Sequence, residues 1–254
     1  MGIERTDEWL EKDFYDPEKL CRKLLSSEVE APGELYRYLL RYGMYRPGRM
    51  AMNTFRELIK KETWLKAKNI YEHYQKLWGG PDIPVYIFPK NRRQNETEPA
   101  KSGVSFKDKM FLFLNDLKNR KELEALIIHE YHHVCRLNRC QKQMEDYTLL
   151  DSIVIEGFAE FAVTKYCGSD FNAKWTTFYS KEELAYYWKE VIMDHLTIKR
   201  THPLHDRLLY GLGRYPELLG YAIGYQLVMN QKERKSWTIQ DSFTLKAEDI
   251  PFPF

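Results

Sequence analysis

His129-Glu130-Tyr131-His132-His133 is the stretch whose residue types and spacing could do chemistry. On a helix, residues four apart stand one turn apart on the same face, so His129 and His133 can offer two imidazole nitrogens to one metal ion. Glu130, beside the first of them, can reach a water on that metal without being a ligand itself. This H-E-x-x-H pattern is a zinc-hydrolase signature, and chance produces it in a chain of this length and composition on the order of 1% of the time. His132 also falls on this side of a helix. Using it in place of His133 would take Glu130 out of the motif geometry, so it is read as exposed or as a neighbour of the ligands. Cys135 falls on a different face and is not a ligand.

A catalytic zinc usually takes three protein ligands and keeps one position for water. Glu156 is the candidate third ligand. It stands in an apolar helical segment, where a carboxylate is costly unless a cation meets it. Glu160 lies one turn further along the same face, and two carboxylates at that spacing repel on a bare helix. A zinc site accounts for both: Glu156 binds Zn2+, and Glu160 accepts the free N–H of a ligating His, which orients the ring and makes it a better donor. Glu130 then takes a proton from the zinc-activated water as general base and passes it to a leaving amine.

The run from His129 through Glu156-Gly157-Phe158-Ala159-Glu160 resembles the gluzincin pattern of zinc metallopeptidases. It is similar both to the aminopeptidase E-G-F-A element and to the thermolysin arrangement of a ligand Glu with an acidic residue four further on. Ile155 stands where the better-known gluzincins carry Asn, and the interval to Glu156 is a few residues longer than theirs. The span from about Pro81 to Met229 resembles the YjaZ-like family of predicted zinc-dependent proteases. It includes His202-Pro203-Leu204-His205-Asp206-Arg207 and Tyr221-Ala222-Ile223-Gly224-Tyr225.

The resemblance implies a two-lobed, gluzincin-like fold in which the strand near Met110 to Leu114 pairs with an extended peptide. It also implies a Tyr or His from the C-terminal lobe that faces the developing oxyanion. Tyr221, Tyr225 and His205 are the candidates. Gly220 and Gly224, on one helix face, permit a close approach that brings Tyr221 toward the site. With 18 Tyr in the chain, plain packing competes with each assignment. His195, His202, Arg207 and Arg214 are read as structural.

The elements that must position these residues are mostly helical. Asp16-Pro17-Glu18 starts a helix carrying Leu20, Leu24 and Leu25. Pro32-Gly33-Glu34 opens another, with Leu35, Leu39 and Tyr42 as its stripe and an end near Gly43. Asn53 caps a third, in which Leu58, Ile59, Leu65, Ile70, Tyr74, Leu77 and Trp78 keep helical spacing until Gly79-Gly80-Pro81 stops it. These stripes are core rather than a cofactor surface. Ile83 to Phe88 is β-prone, and Asn91 to Lys101 is a polar surface loop. Gly103 to Phe106 and Met110 to Leu114 form a hairpin around Lys107-Asp108-Lys109, for three strands in all.

The motif helix runs from Glu122 to about Cys140, buried through Leu123, Leu126, Ile127, Val134 and Leu137. After a polar connection from Asn138 to Asp146, a second apolar helix spans Tyr147 to Tyr166 and ends at Gly168-Ser169-Asp170. Lys181 to Leu196 is helical, His202 to Gly213 is loop-like, and Pro216 to Met229 is the last helix. The tail Pro251-Phe252-Pro253-Phe254 is extended. The expected fold is therefore α+β and mostly helical, with a small sheet beside the H-E-x-x-H helix. Residues 1–80 form a helical N-terminal region and 81–254 a metallopeptidase-like domain.

Length and composition leave this reading open and close others. The 254 residues suffice for a large core, and 43% hydrophobic with 30% charged residues is ordinary for a globular protein. A net charge of +2 gives no pull toward nucleic acid or a membrane surface. Met1 to Lys12 lacks the apolar core of a signal peptide, and no run approaches the ~18 residues of a membrane span. Cys21, Cys135, Cys140 and Cys167 are sparse and lack C-x-x-C spacing, as expected of free thiols in the cytoplasm; the Asn95-Glu96-Thr97 sequon would then carry no glycan. The expected function is an intracellular zinc metallopeptidase acting on a peptide or protein. The competing readings are a zinc-holding scaffold or regulatory binding protein that does not cleave, and a zinc hydrolase of a non-peptide amide.

Overall fold

A computed structural model describes residues 2–25, 31–91, 100–140, 142–234 and 237–250. The chain is α+β and mostly helical. It divides into two units, Met1–Val134 and Cys135–Phe254. The sequon and the last four residues lie outside the described residues.

The first unit begins with β1 (Gly2–Ile3), α1 (Thr6–Asp13) and α2 (Pro17–Arg22). Asp16 caps α2 as expected, accepting from the Lys19 amide at 3.0 Å with Pro17 at the first helical position. Leu20 is buried in α2 and Leu24 in the turn after it. Just before the cap, Asp13 accepts from Lys19 Nζ at 2.6 Å and Lys23 Nζ at 2.9 Å, and these two bonds hold its carboxyl below the usual carboxylate range. A lowered folded-state value means that its contribution to stability is complete above about pH 4 and is lost as pH falls through that value. Asp13→Asn is therefore expected to weaken the loss of stability between about pH 4 and pH 2, read by circular dichroism in acid.

Then come α3 (Pro32–Tyr42), α4 (Arg49–Lys60) and α5 (Thr63–Trp78). Gly43 ends α3 in the left-handed conformation, at φ 113°. Of the expected α3 stripe only Leu39 is fully buried. The single helix expected from Asn53 to Trp78 is two helices. Gly48 stands at the start of α4, Asn53 lies inside it, and Glu62, with a left-handed backbone at φ 53°, separates α4 from α5. That break resets the phase of the apolar stripe. Trp64, Ala67, Ile70, Tyr71, Tyr74 and Trp78 are buried, whereas Ile59, Leu65 and Leu77 face solvent.

The sheet follows, from β2 (Pro84–Pro89), β3 (Lys101–Ser105) and β4 (Met110–Leu114), and then α6 (Arg120–Arg139) begins. Among the described residues the strand order is β1-β2-β4-β3, four strands where three are expected. β1 and β4 both run parallel to β2, and β3 and β4 form the expected antiparallel hairpin. β4 is flanked on both sides and all five of its residues are buried, so it has no edge to offer a peptide. Among the described residues the edges belong to β1 and β3, and β3 is the one beside β4. Two backbone bonds set its phase: Asn115 N–H donates to Ala100 at 2.8 Å, and Phe106 N–H donates to Lys109 at 2.9 Å. Even-numbered β3 residues thus bond to β4, and the polar backbone groups of Gly103 and Ser105 point outward.

The second unit takes the end of α6 and adds α7 (Leu149–Cys167), α8 (Lys181–Tyr187), α9 (Pro203–Tyr210), α10 (Leu219–Arg234) and α11 (Ile239–Ser242). Thr148 and Asp151 close a capping box at the start of α7, and Gly168 stands just past its end. α8 continues through a π turn and a 3-10 turn to His195, close to the helix expected from Lys181 to Leu196. The segment expected as a loop is α9, whose end signals are present: His202 accepts from the Leu204 amide, Pro203 leads, and Gly211 closes at φ 68°. The last apolar helix extends five residues past Met229, to Arg234, and α11 follows it.

α7 and α10 pack backbone to backbone. A Cβ on Gly224 would collide with the Ile153 carbonyl oxygen, and one on Gly157 with the Gly224 carbonyl. Buried Arg136 donates to the Ser242 carbonyl at 2.6 Å and the Leu245 carbonyl at 2.8 Å, fixing the segment after α11. Among the described residues, no helix is long and apolar enough to cross a membrane. Among the described residues, Cys21, Cys135, Cys140 and Cys167 form no disulfide.

Candidate metal centre

Helix α6 is positioned by its buried positions Leu123, Ile127, Ile128, Tyr131 and Val134. Asn119 accepts from the Glu122 amide at its start. Trp78 stacks on Tyr131, rings 5.8 Å apart, and meets His132 edge-on at 6.2 Å. His132 is therefore not exposed: its ring is fully buried, because residues 130–132 and 134–136 are all enclosed and leave no open face there.

His129 and His133 point their Nε2 atoms at one another across 3.1 Å, with rings almost perpendicular at 87°. Two imidazole nitrogens on one tetrahedral zinc, each at about 2.05 Å, stand about 3.3 Å apart. The pair fits that requirement within the spread of such sites. Glu130, 6% exposed, turns toward the edge strand instead. Ser105 Oγ donates to Glu130 Oε2 at 2.6 Å and lies 2.9 Å from the Glu130 carbonyl oxygen. Gly103 gives the side chain room, since a Cβ there would sit 2.5 Å from Glu130 Cδ.

On α7, Ser152, Glu156 and Glu160 occupy successive turns of one face. The Tyr221 hydroxyl, from α10, has Glu156 of α7 and Tyr210 of α9 as its electrostatic partners. Burial first, and then the Glu156 charge, push the Tyr221 phenol well above its ordinary value, so it is a neutral donor. Its ring also meets Trp175 edge-on at 5.3 Å. Of the two glycines expected to permit a close approach, Gly224 packs against Ile153 and Gly157 of α7, whereas Gly220 packs against Leu209 of α9.

Glu160 is buried and its Oε2 accepts from Asn172 Nδ2 at 2.6 Å and the Ala173 amide at 3.0 Å. The Tyr225 hydroxyl pairs with Thr164 Oγ1 at 3.1 Å, and burial raises its pKa. His205, 1% exposed, has Nε2 on Ser152 Oγ at 2.9 Å and Nδ1 on the Asp206 carboxylate at 2.8 Å. Arg207 and Arg214 both lie over the Tyr215 ring, and His202 caps α9.

Ligand atoms of His129, His133 and Glu156 all lie within 4.8 Å of one another, a group that could hold a metal ion. Sequence reasoning missed Gly103, Ser105, Tyr210 and Asn172. Each owes its place to a contact distant in the chain, and none carries a local signal beyond residue type.

Residues 63–251 match the family described as Predicted Zn-dependent protease (DUF2268). The chain is 36% identical over 261 residues to the uncharacterized protein YjaZ of Bacillus subtilis (strain 168), covering 98% of this chain and 97% of that one. The uncharacterized protein YjfC of the same organism is 28% identical over 141 residues, 52% of this chain and 47% of its own. No solved structure matches the chain.

Proposed function

The chain belongs to the family of predicted Zn-dependent proteases (DUF2268), and on that premise we propose that it hydrolyses peptide bonds with a zinc ion held by His129, His133 and Glu156. The observation that carries the reading is the donor set. Two imidazole nitrogens 3.1 Å apart, with a carboxylate oxygen in the same small volume, are what a catalytic zinc with one open position asks for. Bound there, zinc supplies a Lewis acid that activates water near neutral pH and polarises a carbonyl.

The protein's own residues do the rest. Glu130 takes the proton from the attacking water and returns it to the leaving amine. The outward backbone groups of Gly103 and Ser105 give an extended peptide a strand to pair with, directly beside Glu130. We therefore put the peptide on β3, not on β4. Glu160, fixed by Asn172 and Ala173, is a rigid acceptor for the free N–H of a ligating imidazole.

Tyr221 is the residue we assign to the developing oxyanion, since of the three candidates it is the one whose interaction partners include the proposed ligand Glu156. The Tyr225 hydroxyl bonds instead to Thr164, and the His205 ring to Ser152 and Asp206. Four cysteines without a disulfide suit a reducing compartment, and we place the activity in the cytoplasm.

The test is a peptide library incubated with the zinc-loaded protein and read by mass spectrometry. Internal or terminal cleavage that a chelator abolishes and zinc restores is the expected result. Intact peptides alongside stoichiometric zinc would favour a non-cleaving scaffold.

A further inference from the structure

The edge strand does more than turn backbone groups outward. The Glu130 side chain lies flat on β3: its Cδ and Oε1 occupy the space that a Cβ on Gly103 would need, and its Oε2 ends on the Ser105 hydroxyl at 2.6 Å. A serine hydroxyl has one proton to donate. Of its two neighbouring acceptors, the carboxylate at 2.6 Å is both closer and charged, so it takes the proton ahead of the Glu130 carbonyl at 2.9 Å. The helix does not depend on this bond for its seat on β3, because Lys101 Nζ also ties the strand to the helix through the Glu122 carbonyl at 2.7 Å.

Ser105 therefore selects between the two carboxylate oxygens. With Oε2 held, Oε1 is the oxygen left to take a proton. The backbone of the same residue points outward along an edge that no other described strand covers. We propose that Ser105 is the positioning residue of the general base, and that Gly103-Val104-Ser105 sets the register between a peptide on the β3 edge and the Glu130 carboxylate. This rests on the reading of Glu130 as the base of a zinc peptidase. It extends that reading by giving the base an orienting partner on the strand that would carry the substrate.

Kinetics and crystal structures of Ser105→Ala and Ser105→Thr, each zinc-loaded, test the proposal. In Ser105→Ala we expect kcat to fall about 10- to 100-fold from misorientation of the base, with KM, zinc content and melting temperature kept. In Ser105→Thr, which keeps the hydroxyl on a strand position that suits it, kcat should return to within a few-fold of the parent. The structures should show Glu130 turned away from β3 in the alanine variant and back on it in the threonine variant. Unchanged kcat with Glu130 unmoved in Ser105→Ala overturns the proposal. So does a loss of zinc and melting temperature that threonine fails to restore, which would mark a purely structural residue. If the parent cleaves no peptide, the peptidase reading fails by itself, and the position of Glu130 in the two structures still decides whether Ser105 orients it.

Discussion

With Glu130 replaced by Gln, kcat for any peptide that the zinc-loaded protein cleaves is expected to fall by about 10²- to 10⁴-fold. Gln has the shape of Glu and keeps a carbonyl oxygen that can accept from Ser105, so the side chain can hold its place on β3. What it cannot do is take a proton from water. The deficit should therefore appear in kcat, with KM close to the parent's, because binding along the strand edge does not use the Glu130 charge. Zinc content should also be unchanged, since Glu130 is not among the three residues that could hold the metal. Activity within a few-fold of the parent would remove Glu130 from the mechanism and leave the carboxylate a structural partner of Ser105.

Gly224→Ala is expected to cost about 3 kcal/mol or more of folding stability. Two effects oppose each other at this position. Helix propensity alone favours Ala over Gly by about 1 kcal/mol. The added Cβ, however, would meet the backbone oxygen of Ile153 on α7, and it would do so where Gly157 already brings α7 against the Gly224 carbonyl. Neither obstacle is a side chain that can swing aside, so the helices must separate. Urea unfolding reads the sign directly: a variant as stable as the parent, or more so, would show that α7 and α10 do not approach this closely. The same separation would draw Tyr221 away from Glu156, so any residual activity should fall with stability.

Much of what positions these residues was legible in local signals. The apolar periodicities of α6 and α7, the Asp16-Pro17 start and the Gly43 and Gly79 stops were all read from neighbours in the chain, and each marks a real boundary. The misreadings arise where distant contacts or backbone conformation decide. β1 is two residues long and becomes a strand only by pairing with β2 across the whole helical segment. The α4–α5 break depends on a left-handed glutamate, a residue type that does not announce one. α9 differs for another reason: Pro203 and Gly211 read as loop punctuation, yet they also bound a helix.

At the site, the pattern around His129 and the carboxylate face of Glu156 and Glu160 could be read from spacing alone. The partners that hold them could not, because Ser105, Asn172 and Tyr210 meet their targets through the fold. Strand order is of the same kind. β4 is the most apolar strand and reads as the important one, yet it is the least able to bind a peptide, since apolarity on both faces marks an interior strand.

The central claim is that one zinc is held by two imidazoles and a glutamate. Zinc K-edge X-ray absorption on the zinc-loaded protein, with parallel zinc affinities for Glu156→Ala, tests it most directly. The account predicts one zinc per chain, imidazole nitrogens at ~2.0–2.1 Å with oxygen completing the shell, and a marked loss of affinity in Glu156→Ala. A shell containing sulfur, the absence of stoichiometric zinc, or undiminished affinity in Glu156→Ala would contradict it.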